Sequence, residues 1–175
     1  MDKINNTQGK FQNPEYTNDG NPRAFVNLQA LETLWFNTGT LCNLECANCY
    51  IGSSPINDAL VYISHDEVLS YLQEIKDENI HVKEIGITGG EPFMNPDILK
   101  IMESILEDGF DLLILTNAMR PMMRHQDALI KLRERFLNQL SIRVSTDHYT
   151  KEIHETERGD RSWEPMLLGL KWMSD

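Results

Sequence analysis

The strongest constraint on the fold is an alternation of short apolar runs with longer amphipathic stretches. The apolar runs predict strands at residues 34–38, 82–88, 112–115 and 140–145. The amphipathic stretches predict helices at about 64–79, 95–109 and 122–137, and from about 162 onwards. Ser64 and Glu67 predict a capping box at the start of the first helix, and Asn95 is expected to cap the second. Strand–helix units in succession wind right-handedly into a parallel sheet. The sequence therefore predicts an α/β fold, a partial (βα) barrel of the TIM type with about four βα units and parallel strands.

Polar and small residues follow each predicted strand. Cys42 comes after the first strand, Gly89 after the second, Asn117 after the third, and Ser145 ends the fourth. Parallel α/β folds carry their active sites at the carboxyl ends of the strands. We therefore expect a functional site along this rim.

All three cysteines lie in one short loop, Cys42, Cys46 and Cys49, with the spacing C-x3-C-x2-C. Three thiolates can hold three irons of a cubic 4Fe-4S cluster and leave the fourth iron open for chemistry. A structural zinc ion and an electron-transfer cluster would each need four ligands. A zinc site completed by His148 or another group, or three buried cysteines, is the alternative that the loop leaves open.

A second motif, Gly89-Gly90-Glu91-Pro92, follows the second predicted strand. Glycine adopts positive φ and lets a ligand approach the backbone, and Pro92 fixes the direction of the chain that follows. By itself the motif also suits an ordinary strand-to-helix turn.

Taken together, the two motifs resemble the radical S-adenosylmethionine (radical SAM) enzymes, which carry a C-x3-C-x2-C loop after the first barrel strand and a GGE motif one βα unit later. The resemblance implies a 4Fe-4S cluster on Cys42, Cys46 and Cys49, with S-adenosylmethionine (SAM) chelated by its open iron. It also implies reductive cleavage of SAM to a 5'-deoxyadenosyl radical. One departure is Asn48, which stands where many members have an aromatic residue near the adenine.

The resemblance also implies roles for other rim residues. Gly89, Gly90 and Glu91 would receive the methionine end of SAM, and Asn117 and Ser145 would orient the nucleoside. Arg143 lies on the polar face of the fourth strand and is a candidate for binding the methionine carboxylate, with a surface ion pair as the alternative. The step from Arg158 to Asp160 resembles an H-x-x-x-R-G segment of many radical SAM proteins, whereas His148 and His154 are expected to be solvated in a polar connection.

The overall charge narrows the range of partners. A formal net charge of −11 argues against binding to nucleic acid or to anionic membranes. No apolar run approaches the roughly 20 residues of a membrane span. An odd number of clustered cysteines argues against a secreted disulfide framework. We expect a cytoplasmic protein.

Residues 1–30 form a polar leader that we expect to be mobile, and residues 31–175 form the radical SAM core. The family's usual core has six βα units, so the core predicted here is its N-terminal part. The resemblance implies an electron donor such as flavodoxin or ferredoxin. The substrate, a small molecule or a peptide, is not readable from these residues. A non-catalytic metal-binding module, or an inactive fragment of a longer enzyme, is the alternative function.

Overall fold

A computed structural model of the chain describes residues 13–27 and 29–175. The chain divides into two units, Met1–Ala30 and Leu31–Asp175. In the described part of the first unit, Tyr16 and Pro22 form an antiparallel bridge that is closed by the hydrogen bond from Arg23 N to Glu15 O, 2.8 Å. The leader was predicted to be mobile. Part of it, residues 1–12 and 28, lies outside the described residues.

The second unit alternates strands and helices. Its strands are β1 (Thr33–Asn37), β2 (Glu84–Thr88), β3 (Asp111–Thr116) and β4 (Leu140–Val144). Its helices are α1 (His65–Asp77), α2 (Ile98–Glu107), α3 (Arg120–Met123), α4 (Gln126–Phe136), α5 (Lys151–Arg158) and α6 (Trp163–Ser174), with a short 3-10 helix at Pro92–Met94. The strands form one parallel sheet in the order β1-β2-β3-β4. This confirms the predicted α/β fold with four parallel strands.

The two faces of the sheet differ sharply. On the helix-covered face, Ile85 and Ile87 of β2 and Leu112 and Ile114 of β3 are fully or almost fully buried. They pack against apolar side chains of the helices, among them Leu72, Ile101, Ile105 and Leu129. Each buried side chain of this size contributes about 1.5–3 kcal/mol. On the opposite face, hereafter the inner face, Trp35 of β1 lies over Gly86 and is 44% exposed.

The helix starts show where local sequence signals were sufficient. Ser64 and Glu67 form the predicted capping box at the start of α1. Asn95, expected to cap the second helix, accepts a hydrogen bond from Asp97 N at 2.9 Å, as an N-cap side chain does, and donates to Ile63 O at 2.8 Å. The regular helix α2 begins three residues later, at Ile98. The single helix expected at 122–137 is two helices, α3 and α4.

The prediction for His154 was wrong. It lies on α5 rather than in a polar connection, and it is fully buried. Its ring packs edge-on against Trp163, with 5.2 Å between the centroids. Burial lowers its pKa, because an apolar environment disfavours the charged imidazolium. None of the described helices is long and apolar enough to span a membrane.

Candidate cofactor site

The cysteine loop begins just after β1 and is fastened at both ends. Leu41 pairs with Ser54 as a parallel bridge, and Cys42 N donates to Ser54 O at 3.1 Å. Within the loop, Cys49 N donates to Cys46 O at 3.2 Å, and Gly52 N donates to Cys49 O at 3.1 Å. The loop therefore returns on itself, and its three cysteines line one cavity.

The three cysteines are free thiols in different environments. Cys42 is buried, and burial raises its pKa to about 11. Burial also raises the pKa of Cys46, against the opposing effect of the Arg158 guanidinium. Although burial acts on Cys49 too, hydrogen bonds from the backbone of Ile51, Gly52 and Ser53 give it a net lowered pKa.

The Gly89-Gly90-Glu91 turn is joined to the start of the cysteine loop. Gly90 N donates to Gly39 O at 2.8 Å, and Glu91 N donates to Leu41 O at 3.1 Å. Gly89 has φ of +142°, which side-chain-bearing residues rarely adopt, and a Cβ on Gly90 would overlap the Leu41 carbonyl. The glycines are thus required for the close approach of two backbone segments, a reason that does not depend on a ligand.

Glu91 points into the protein rather than towards the cavity described below. Its side chain is 1% exposed and accepts hydrogen bonds from Phe93 N (3.1 Å), Thr116 Oγ1 (2.8 Å) and Asn117 N (2.9 Å). Burial raises its pKa to about 7, and the three donors oppose that rise. Glu91 therefore fastens the end of β3 to the Gly89–Glu91 turn.

The ends of β3 and β4 complete the rim. Asn117 is buried, donates to Asn43 Oδ1 at 2.9 Å, and lies with its Nδ2 4.0 Å from Cys42 Sγ. Ser145 N donates to Thr116 O at 2.9 Å. The structure thus brings the cysteine loop and the ends of β2, β3 and β4 to one place.

A cavity of about 520 Å³ lies between these elements. Its lining includes all three cysteines together with Gly89, Gly90, Asn117 and Ser145. Of the residues singled out from the sequence, Glu91 and Arg143 do not line it. His148, the suggested fourth zinc ligand, does not line it either, and its Nδ1 is engaged by Thr150 N at 3.0 Å.

The cation that lines the cavity in the described part of the chain is Arg158, at the end of α5. Its guanidinium makes a two-pronged ion pair with Asp147, with Nε 2.6 Å from Oδ2 and Nη2 3.2 Å from Oδ1. Arg143 instead lies on the exposed inner face of β4, beside Ser141 and Leu170. From the sequence, Arg158 was recognised only as part of an H-x-x-x-R-G segment and was not expected to line the site.

Two further lining residues, Asn48 and Glu157, were not singled out as site residues. They are joined by a hydrogen bond from the Asn48 side-chain amide to the Glu157 carboxylate. Glu157 is 109 residues away from Asn48 along the chain, so no local pattern could have indicated the contact.

The donor set fits a cluster in its chemistry. Soft thiolates are the protein ligands that iron–sulfur clusters take. In the described residues, no three His, Cys, Asp or Glu side chains are gathered closely enough to hold a single metal ion. Zinc requires its ligands to converge on one point, whereas a cubic cluster takes one thiolate on each of three irons.

Comparison with known proteins identifies the family. The model of the radical SAM superfamily matches residues 36–175. The chain belongs to the radical SAM superfamily. The matched region contains the cysteine loop, the Gly89–Glu91 turn and all the residues that line the cavity.

Three curated relatives are 28–29% identical to the chain over the aligned residues. The bacteriocin subtilosin biosynthesis protein AlbA of Bacillus subtilis (strain 168) is 29% identical over 135 residues, covering 77% of this chain and 28% of AlbA. The AdoMet-dependent heme synthase of Methanosarcina barkeri is 28% identical over 131 residues, covering 74% of this chain and 35% of that protein. A GTP 3',8-cyclase of Staphylococcus carnosus is 28% identical over 120 residues, covering 66% of this chain and 34% of the cyclase. The chain spans about a third of the length of these relatives.

Solved structures share the fold. Streptococcus suis SuiB bound to its precursor peptide SuiA has a TM-score of 0.67 at 20% identity, over 83% of this chain and 30% of SuiB. SuiB bound to S-adenosylmethionine has a TM-score of 0.65 at 18% identity, over 82% of this chain and 31% of SuiB.

Proposed function

We propose that this chain carries the cofactor-binding part of a radical SAM enzyme, in which Cys42, Cys46 and Cys49 hold a 4Fe-4S cluster. The observation that carries the proposal is that the three thiols open into one cavity with the ends of β2, β3 and β4. A bound and reduced cluster would supply one electron for the reductive cleavage of SAM to methionine and a 5'-deoxyadenosyl radical, which would abstract hydrogen from a substrate.

The protein's own contribution is to bind and orient. Gly89 and Gly90 present backbone at the cavity wall, where the methionine end of SAM is bound in our proposal. Asn117 and Ser145 offer side-chain hydrogen-bonding groups from the next two strand ends. Glu91 contributes indirectly, by fixing Asn117 through its backbone amide.

We assign the binding of the methionine carboxylate to Arg158 rather than to Arg143, because Arg158 lines the cavity and Arg143 does not. A guanidinium can bind a carboxylate through two parallel hydrogen bonds. With Asp147, the Arg158 guanidinium makes one hydrogen bond, from Nη2 to Oδ1, and Nε lies at ion-pair distance from Oδ2. Its five N–H donors exceed what one carboxylate uses, so Arg158 can serve Asp147 and a ligand together.

The remaining parts of the proposal concern partners. Reduction of the cluster requires an electron donor, for which flavodoxin or ferredoxin is suitable, in a reducing compartment such as the cytoplasm. The names of the relatives include bacteriocin, heme and GTP-derived products. The substrate class accordingly stays a small molecule or a peptide.

Anaerobic reconstitution with iron and sulfide tests the cluster. We expect about four irons and four sulfides per chain and an EPR signal of the reduced cluster that shifts when SAM is added. Replacing Cys42, Cys46 or Cys49 by Ala should abolish a stable cluster, whereas His148→Ala should not. Stoichiometric zinc that needs His148, with no response to SAM, would establish the non-catalytic module instead.

A titration with SAM tests the assignment of Arg158. Arg158→Gln should weaken SAM binding by roughly ten-fold or more, as expected when a charged hydrogen-bond donor is lost. Arg143→Gln is the matched control and should bind SAM as the wild type does. If both variants bound SAM equally weakly, the positive charge of the region in general, and not Arg158 in particular, would be responsible for binding.

A further inference from the structure

We propose that Glu157 is a positioning residue that fixes the middle of the cysteine loop, residues 46–49, to helix α5. Its importance for cofactor chemistry rests on the proposed function. The contact itself belongs to the metal-free chain and can be measured there.

The ends of the loop do not need this contact. At one end, Cys42 N donates to Ser54 O. At the other, Ser53 N lies 3.1 Å from Cys49 Sγ and Gly52 N donates to Cys49 O. Asn117 also donates to Asn43 Oδ1, and Glu91 N donates to Leu41 O. These bonds fix the two ends of the loop, but none of them reaches residues 47 and 48.

The middle of the loop is held from far along the chain. Ala47 N donates to the Glu157 backbone carbonyl at 2.8 Å, and the Asn48 side-chain amide donates to the Glu157 carboxylate. Ala47 and Asn48 are both exposed. One residue of α5 therefore accepts two hydrogen bonds from the segment that separates Cys46 from Cys49.

Helix α5 is a firm support for this contact. Its buried His154 packs against Trp163 at the start of α6, and Trp163 N donates to Glu155 Oε1 at 3.3 Å. The next residue after Glu157 is Arg158, which is ion-paired to Asp147 beyond the end of β4. Two adjacent residues of α5 thus contact the cysteine loop and the segment after β4, both of which line the cavity.

The energy of the contact is moderate, because both partners are partly in water. A hydrogen bond of this kind contributes about 1 kcal/mol net, which corresponds to about a five-fold change in how often the loop opens. Such a change is too small to unfold the chain but large enough to alter the accessibility of Cys46, which directly precedes Ala47.

The test uses the reduced, metal-free full chain, with alkylation of each cysteine followed by mass spectrometry. Glu157→Ala should speed alkylation of Cys46 about five-fold and leave that of buried Cys42 unchanged. Hydrogen exchange of the peptide containing Ala47 should also accelerate. Glu152→Ala is the matched control, since Glu152 is an exposed glutamate on the same helix, and it should behave as the wild type.

Glu157→Gln separates the hydrogen bond from the charge. Its side-chain oxygen still accepts from Asn48, so we expect wild-type rates. If it matched Glu157→Ala, the charge near Cys46 would be responsible and the proposal would be overturned.

Asn48→Ala removes the other partner of the hydrogen bond and leaves the helix untouched. It should speed alkylation of Cys46 as much as Glu157→Ala does, and the double variant should show no further increase. Wild-type rates in both Glu157→Ala and Asn48→Ala would also overturn the proposal. None of these measurements requires iron, so they stand apart from the outcome of reconstitution.

Discussion

Glu91 illustrates how a residue within a functional motif serves the site without touching the cavity. From the sequence it was a candidate for contact with SAM. In the structure both of its oxygens accept hydrogen bonds from the protein, two from the backbone and one from Thr116. A buried carboxyl of this kind sets the position of Asn117, and through it the distance between β3 and the cysteine loop.

The raised pKa of Glu91 gives a pH-dependent prediction. Its folded pKa of about 7 lies above its ordinary value of 4.5, so its stabilising contribution is complete below 4.5 and is lost as the pH rises through 7. Relative to Glu91→Gln, we expect the wild type to lose about 1.4 kcal/mol of unfolding free energy between pH 6 and pH 8. Urea unfolding of both proteins at the two pH values measures this, and the titration of His154 cancels in the difference.

The comparison of wild type with Glu91→Gln also tests how much the hydrogen bonds to the Glu91 side chain contribute to stability. Glutamine has one acceptor oxygen, so its amide group must face an N–H or O–H donor of Phe93, Thr116 or Asn117. We expect Glu91→Gln to be less stable by about 1–3 kcal/mol at pH 6. A wild-type to Gln difference that does not change with pH would show that the three donors keep Glu91 ionised throughout.

The elements show what a sequence pattern can and cannot reveal. Local signals in the sequence predicted the strands, α1 and the rim of the site. These signals are the spacing of the apolar residues, the Ser64 capping box and the glycines Gly89 and Gly90. Helix α5 was missed because its only buried residue is His154, which leaves no apolar stripe to recognise. Its contacts with the cysteine loop, including the hydrogen bond from Asn48 to Glu157, depend on tertiary structure and leave no local pattern.

The prediction that Arg143 lies at the site shows a second limit of local patterns. The alternation of β4 correctly put Arg143 and Ser145 on one face, since side chains two residues apart point the same way. The cavity, however, uses only the end of that face, and Arg143 lies two residues, or about 6.6 Å, further down the strand. A period of two gives the face but not the depth at which a cavity ends.

At the scale of the whole molecule, the sheet has two edges in the described chain, β1 and β4. Its inner face carries Trp35, which is 44% exposed, and the exposed side of β4. Unpaired edges expose N–H and C=O groups that favour pairing with another strand. We therefore expect the 175-residue chain to associate in solution.

The outer edge of β4 can be blocked at one position. Ser145 N donates to Thr116 O of β3, so by alternation the N–H of Val144 points away from β3. Val144→Pro removes that outward donor and costs no bond to β3, because proline is tolerated where the N–H faces solvent at an edge strand. Val144→Ala, which keeps the N–H and shortens the side chain, is the matched control.

Sedimentation should show oligomers for the wild type and Val144→Ala and a shift to monomer for Val144→Pro. Oligomers that persist in Val144→Pro would place the contact on β1 or on the inner face around Trp35, and a monomeric wild type would show that four βα units are stable without a partner.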